Sequence, residues 1–284
     1  MQKTIRQITR VGRADGEVGI EVEVEGRDLD FRGDGIWRRE HDHSLKAAEA
    51  GEFVLRQPLN KTAAKQAVYN LYTQLKDATI DDSVRAGVHV HINVQELTPT
   101  QLATSLTAYY LLEKVLTNYC GEGRAGNLFC LRLCDAEHPL FFLNQVYKDK
   151  ELRHLHTDTI RYAACNLKAL AQYGSLEFRA LKTPKKAITI NRWIEMLHRV
   201  VLGVHDDYND PTDLLAALSA NGAEEFITSI VGADMLQHLN LDNLDQDLRD
   251  MVDIVQVFAY SHDWTDKKLQ PNLNIFGTQP EEDW

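Results

Sequence analysis

Cysteine is scarce: the 284-residue chain has four, Cys120, Cys130, Cys134 and Cys165, with no CxxC pair among them. That excludes a disulfide framework and leads us to expect reduced thiols in a cytoplasm. Long apolar runs are also missing. The opening MQKTIRQITR lacks the apolar stretch of a secretion signal, and no segment approaches the about 18 uninterrupted apolar residues of a membrane span. The expectation is a soluble, unexported protein with no membrane partner. The common phosphate cradles are absent too: there is no GxxxxGK[ST] and no strand followed by GxGxxG, and Gly12, Gly16 and Gly19 are not spaced as a phosphate loop.

Basic residues nearly vanish towards the end. Residues 205–284 carry 17 Asp and Glu against 3 Lys and Arg, a net charge of −14, whereas residues 1–204 carry 28 basic and 25 acidic side chains, a net of +3. An acidic segment repels a nucleic-acid backbone, and no basic stripe offsets it, so nucleic-acid binding is not expected. The change of sign near His205 suggests one domain over 1–204 and an acidic lobe over 205–284.

What is present is a 44% hydrophobic chain with alternating patterns. EVGIEVEVEG (17–26) alternates Ile20, Val22 and Val24 with Glu21, Glu23 and Glu25, which reads as a strand with one anionic face. The segment from Asp28, with its Gly33-Asp34-Gly35 turn, reads as its hairpin partner. GEFVLRQPL (51–59), AGVHVHINV (86–94), TIRYAACNL (159–167) and SLEFRAL (175–181) read as further strands, the last two as an antiparallel pair. Helices are expected after an Asn60 or Thr62 cap, from Thr98-Pro99 to Tyr119, and from about Lys185 to His205. GEGRAGN (121–127) reads as a mobile loop. Three more helices, near 211–220, 223–239 and 245–261, make the acidic lobe helical. The fold class is α+β: a largely antiparallel sheet with helices on one face, plus a helical C-terminal lobe that offers a surface for a homo-oligomer contact.

Three strands place ionisable residues two apart, so that each set leaves one sheet face: Glu21, Glu23 and Glu25; His89 and His91; Glu177 and Arg179. Neighbouring carboxylates on one strand lie about 7 Å apart and, at an effective dielectric of about 20, repel by roughly 2 kcal/mol. A bound divalent cation reverses that cost. Taken singly, each pattern is ordinary: ExExE is usually a solvated face, a half-exposed HxH is as often satisfied as ligating, and ExR is usually a cross-strand ion pair. Glu52, Arg161 and Asn166 are equally ordinary alone. Three such faces in one domain suggest a shared charged concavity.

In order along the chain, Gly19-Ile20-Glu21-Val22-Glu23, Trp37 with Asp42-His43-Ser44-Leu45, Gly51-Glu52-Phe53 through Pro58-Leu59, Gly87-Val88-His89-Val90-His91, Arg161 with Asn166-Leu167, and Ser175-Leu176-Glu177-Phe178-Arg179 resemble the motif series of the amidoligase family, in the glutamine synthetase-like carboxylate-amine ligase superfamily. The resemblance covers about residues 16–204 and departs from the family pattern at His43 and at Arg56-Gln57. It implies a curved antiparallel sheet of glutamine synthetase-like type and an ATP-dependent ligase that activates a carboxylate as an acyl phosphate and joins it to an amine. It further implies Mg2+ or Mn2+ held by Glu21, Glu23, Glu52, His89 and Glu177, ATP contacted by Arg179, Arg161 and Asn166, and Glu177 and Arg179 as the catalytic pair. Glu25 and His91 lie on the same faces. The substrates would be small-molecule or peptide carboxylates and amines. Two alternatives stand beside it: a cupin-like metalloenzyme, on the HxHx4E spacing of His89, His91 and Glu96, and a non-catalytic nucleotide- or metal-binding protein on the same fold.

Overall fold

The computed structural model describes residues 2–47, 49–135 and 162–262, together with Trp264. It is a mixed α+β structure built on an open antiparallel sheet. Along the chain run α1 (Ile5–Thr9), β1 (Val18–Arg27), β2 (Trp37–Glu40), β3 (Glu49–Leu55), α2 (Lys61–Gln74), β4 (Thr79–Ile80), β5 (Gly87–Asn93) and α3 (Pro99–Tyr119). Then follow β6 (Cys165–Asn166), α4 (Lys168–Tyr173), β7 (Ser175–Lys182), α5 (Ala187–Val201), a 3-10 turn (Gly203–Asp206), α6 (Pro211–Asn221), α7 (Ala223–Val231), α8 (Ala233–Leu236) and α9 (Leu244–Ala259).

The strands are ordered β2-β3-β1-β5-β7-β6, with β4 pairing the end of β1, and each of these pairings is antiparallel. The central strand β1 therefore has both edges occupied, by β3 and β5. This overturns the expected hairpin between β1 and the segment after Asp28: β2 pairs with β3 instead, Trp37 opposite Leu55. The physical reason lies in the connection. The Asp34 carboxylate accepts the N–H groups of Ile36 and Trp37 at 2.9 and 3.0 Å, which turns the chain so that the Trp37 indole is buried and donates to Ala67 O of α2 at 3.1 Å.

Strand alternation decides what each face does. Ile20, Val22, Val24, Val88, Val90, Ile92 and Phe178 are fully or almost fully buried, and the helices that cover this side are α2, α3 and α5. The ring of Phe178 meets that of Tyr109 on α3 at 4.8 Å between centroids. Full burial of such apolar side chains stabilises by about 1.5–3 kcal/mol each. The helix starts follow their cap chemistry. Asn60 Oδ1 accepts from Ala63 N at 2.9 Å, and Thr98 with Gln101 forms a reciprocal capping box ahead of Pro99.

Helix α3 is buried on nearly all sides. One side meets β7, and others meet α5, α6 and α9. A helix apolar all round must be covered all round, and the acidic helices supply that cover: Leu214, Phe226, Leu248, Met251, Val255 and Phe258 join the same continuous core as the sheet residues. Ion pairs tack them down at the rim, Lys114 to Asp250 and the Arg199 fork to both oxygens of Asp234 at 2.6 and 3.0 Å. Among the described residues no helix is long and apolar enough to cross a membrane. The segment 136–161, which includes the start of the 159–167 strand, lies outside the described residues.

Candidate metal centre

The other face of the sheet is polar, and register brings its charges together. Glu21 stands opposite His89, Glu23 opposite Glu52, His91 opposite Glu177 and Glu177 opposite Asn166. Four adjoining strand pairs thus align what the sequence scatters from Glu21 to Glu177. Gly19 faces His91 in this register, and a Cβ there would stand 3.3 Å from His91 Cβ. The missing side chain is what leaves room for the imidazole.

The side chains interlock. His89 Nδ1 lies 2.9 Å from Glu21 Oε2 and 3.7 Å from Glu177 Oε1, and its Nε2 lies 3.6 Å from Glu23 Oε1. His91 Nε2 is 3.7 Å from Glu21 Oε1, and its Nδ1 is 3.2 Å from Ser175 Oγ. Arg179 pairs with Glu177 and brings Nη1 to 3.4 Å from His89 Nδ1. Asn166 donates to Glu177 Oε2 at 2.6 Å, and the Gly87 amide donates to Glu23 Oε2 at 2.7 Å. Glu23, His89, Asn166 and Glu177 are buried, so the cluster is not a solvated surface.

The titration behaviour follows from this crowding. Burial raises Glu52, and the charges of Glu21 and Glu23 raise it further, to about 7. Burial also raises Glu23, outweighing the charge of His89 and the Gly87 hydrogen bond. For Glu21 burial acts the same way, but hydrogen bonds from His89 and His91 prevail and hold it well below the usual range. Burial likewise opposes ionisation of Glu177, and Arg179, His91 and His89 pull it down on balance. Burial would lower His91, yet Glu21 and Glu177 raise it. The face therefore carries ionised Glu21 and Glu177 beside carboxyls that hold their protons more tightly.

Two overlapping sets of three groups could hold an ion: Glu21, His91 and Glu177, and Glu21, Glu52 and His89, with the ligand atoms of each set within 4.8 Å of one another. Glu21 belongs to both. Five residues expected to ligate or to act in catalysis, Glu21, Glu52, His89, Glu177 and Arg179, meet here, together with Asn166. Glu23 lies against His89 but in neither set. His91 enters as a donor. Glu25 is engaged elsewhere, accepting the amides of Lys46 and Ala47, the latter at 3.1 Å. Arg161 lies outside the described residues. Glu96 stands away from the histidines: it is exposed and pairs with Arg6 at 3.1 Å, which removes the third donor of the cupin-like pattern. Asp42, noted in the sequence only as part of a motif, is missed as a neighbour of Glu23: burial raises it, but bonds from Ser44 N and Oγ at 2.8 and 2.7 Å, and after them the contact with Glu23, lower it on balance.

A cavity of about 390 Å³ opens beside Gly19, Glu21 and His91, with Arg38, Arg56 and Tyr173 on its walls. Its size is at the lower end for a small-molecule pocket. No family model matches the chain, and no curated protein does. The resemblance to amidoligases therefore rests on the order of the sequence motifs alone.

Proposed function

We propose that the chain is an ATP- and metal-dependent carboxylate-amine ligase on a sheet of glutamine synthetase-like type. The observation that carries the reading is the two three-donor sets that share Glu21 on one partly buried sheet face, with Arg179 alongside. The donors fit the ion: both sets pair two carboxylates with one imidazole, a mixture that suits Mg2+ and leaves Mn2+ equally acceptable. Two carboxyls that resist ionisation, Glu23 and Glu52, mark a face that gains by taking up positive charge.

A carboxylate and an amine do not condense in neutral water. The carboxylate oxygen attacks the terminal phosphorus of ATP, ADP leaves, and the acyl phosphate then exchanges phosphate for the amine. A divalent cation bound at this face cancels the repulsion between the acid and the triphosphate. The residues of the chain do the remaining work. Glu177, fixed by Asn166 and Arg179, holds the guanidinium beside His89 on the polar face, where its fork can stabilise charge on the phosphoryl oxygens during transfer. The cavity beside Glu21 and His91 accommodates one of the small reactants. The test is ADP release with Mg2+ or Mn2+ against panels of acids and amines, with mass detection of the amide. Release that needs both an acid and an amine supports the ligase. Metal binding with no ADP release under any pair would leave a binding protein.

A further inference from the structure

The register of β5 and β7 slips at one place. Val88 pairs with Leu181 and Val90 with Phe178, so two residues of β7, Arg179 and Ala180, stand opposite the single residue His89. This is a β-bulge, a device that re-aims a side chain. It falls at the one residue of β7 whose guanidinium reaches His89 and Glu177. Bulged backbone has carbonyls to satisfy. Ala164 accepts the Arg179 N–H at 2.8 Å but gives its own N–H to Leu131 O at 2.7 Å, so Arg179 O takes its hydrogen bond from elsewhere.

It comes from Arg124. This arginine is 2% exposed and sits in the loop after α3, where Gly121, Gly123 and Gly126 all adopt positive φ, 108°, 78° and 69°, a backbone that glycine allows without strain. Its Nη2 donates to Arg179 O at 2.7 Å and its Nε to Ala180 O at 2.6 Å. One planar fork therefore holds both carbonyls of the bulge. The same Nη2 approaches Gly87, whose amide holds Glu23.

We propose that Arg124 is a positioning residue for the polar face: it fixes the bulge and thereby sets where Arg179 lies against Glu177 and His89. It does not touch the reactants. A buried arginine that only filled space would need no fork, and a lysine, whose donors all radiate from one nitrogen, does not reproduce the pair of bonds from Nε and Nη2. The proposal rests on the ligase reading for its activity readout and is tested by a double-mutant cycle that also has a readout free of it. Arg124→Lys, Arg179→Lys and the double variant are compared for ADP release and for Mn2+ affinity. Arg124→Lys is expected to fold, to lower kcat about tenfold or more with the KM for ATP changed less, and to add little further loss in the Arg179→Lys background, because coupled residues are non-additive. Mn2+ affinity should show the same non-additivity. Multiplying effects on both readouts would overturn the proposal, as would global unfolding of both Arg124→Lys and Arg124→Gln, which would assign Arg124 to the fold alone. A wild-type chain that binds Mn2+ yet never releases ADP defeats the ligase reading, and the cycle on Mn2+ affinity then decides this proposal separately.

Discussion

Glu113 offers a prediction whose size follows from its surroundings. It lies on α3, fully buried, with Oε2 accepting the Leu133 amide at 2.6 Å and Oε1 without a hydrogen-bond partner among the described residues. Burial raises it from 4.5 to about 8, against the opposing effects of the Leu133 bond and the charge of Arg132. Below the unfolded value the carboxyl is protonated in both states and contributes no penalty. As pH rises from there, the unfolded chain releases the proton while the folded chain keeps it, so stability falls until the folded group also ionises near 8. The slope is about 1.4 kcal/mol per pH unit, and the whole window amounts to something on the order of 5 kcal/mol. Glu113→Gln retains an acceptor for Leu133 and removes the titration. Urea unfolding of wild type and variant at pH 5, 6, 7, 8 and 9 should show the variant gaining on the wild type at each step up to about 8, then holding level. Parallel stability profiles across the series would refute the assignment of a buried, unpaired carboxyl here.

Arg179→Lys keeps the charge but loses the planar fork, so ADP release should fall roughly a hundredfold with nucleotide binding reduced only modestly; steady-state kinetics beside calorimetry would check it. Glu23→Gln should weaken Mg2+-dependent ATP binding in the same calorimetry, because the amide cannot give up a proton to a cation arriving beside His89, as the Glu23 carboxyl can. Asn166→Ala removes the 2.6 Å bond to Glu177 and should cost about tenfold in Mn2+ affinity, as loss of a ligand's supporting partner does. Trp37→Ala empties a fully buried site and loses the Ala67 hydrogen bond; a loss of about 3–5 kcal/mol is expected by denaturant unfolding.

Much of the polar face was legible because its information is local. Period-two alternation fixed which way Glu21, Glu23, His89, His91 and Glu177 point, and cap residues such as Asn60 and Thr98 fixed where helices begin. Pairing was not legible in the same way. Nothing in the segment after Asp28 says that the edges of β1 are already taken by β3 and β5, and that occupancy sends β2 to the outside. The short elements α1 and β4 carry too little pattern to be seen. Glu113 did leave a signal, the one acid in the helix over 99–119, whose meaning depended on the segment around Leu133 that closes over it. Arg124 left none: an arginine among glycines looks like any surface loop until the bulge it serves is in view. Glu25 shows the opposite failure, since its face was right while its carboxylate is engaged by the amides of Lys46 and Ala47.

Nucleotide binding at the polar face is the most direct test of the ligase account. A non-hydrolysable ATP analogue is titrated calorimetrically into the wild-type chain and into Glu21→Gln, with and without Mg2+. Glu21 is the one donor common to both candidate sets, so the account predicts binding by the wild type only when Mg2+ is present and its loss in Glu21→Gln while the fold is retained. Equal binding without metal, or unaltered Mg2+-dependent binding in Glu21→Gln, would contradict it.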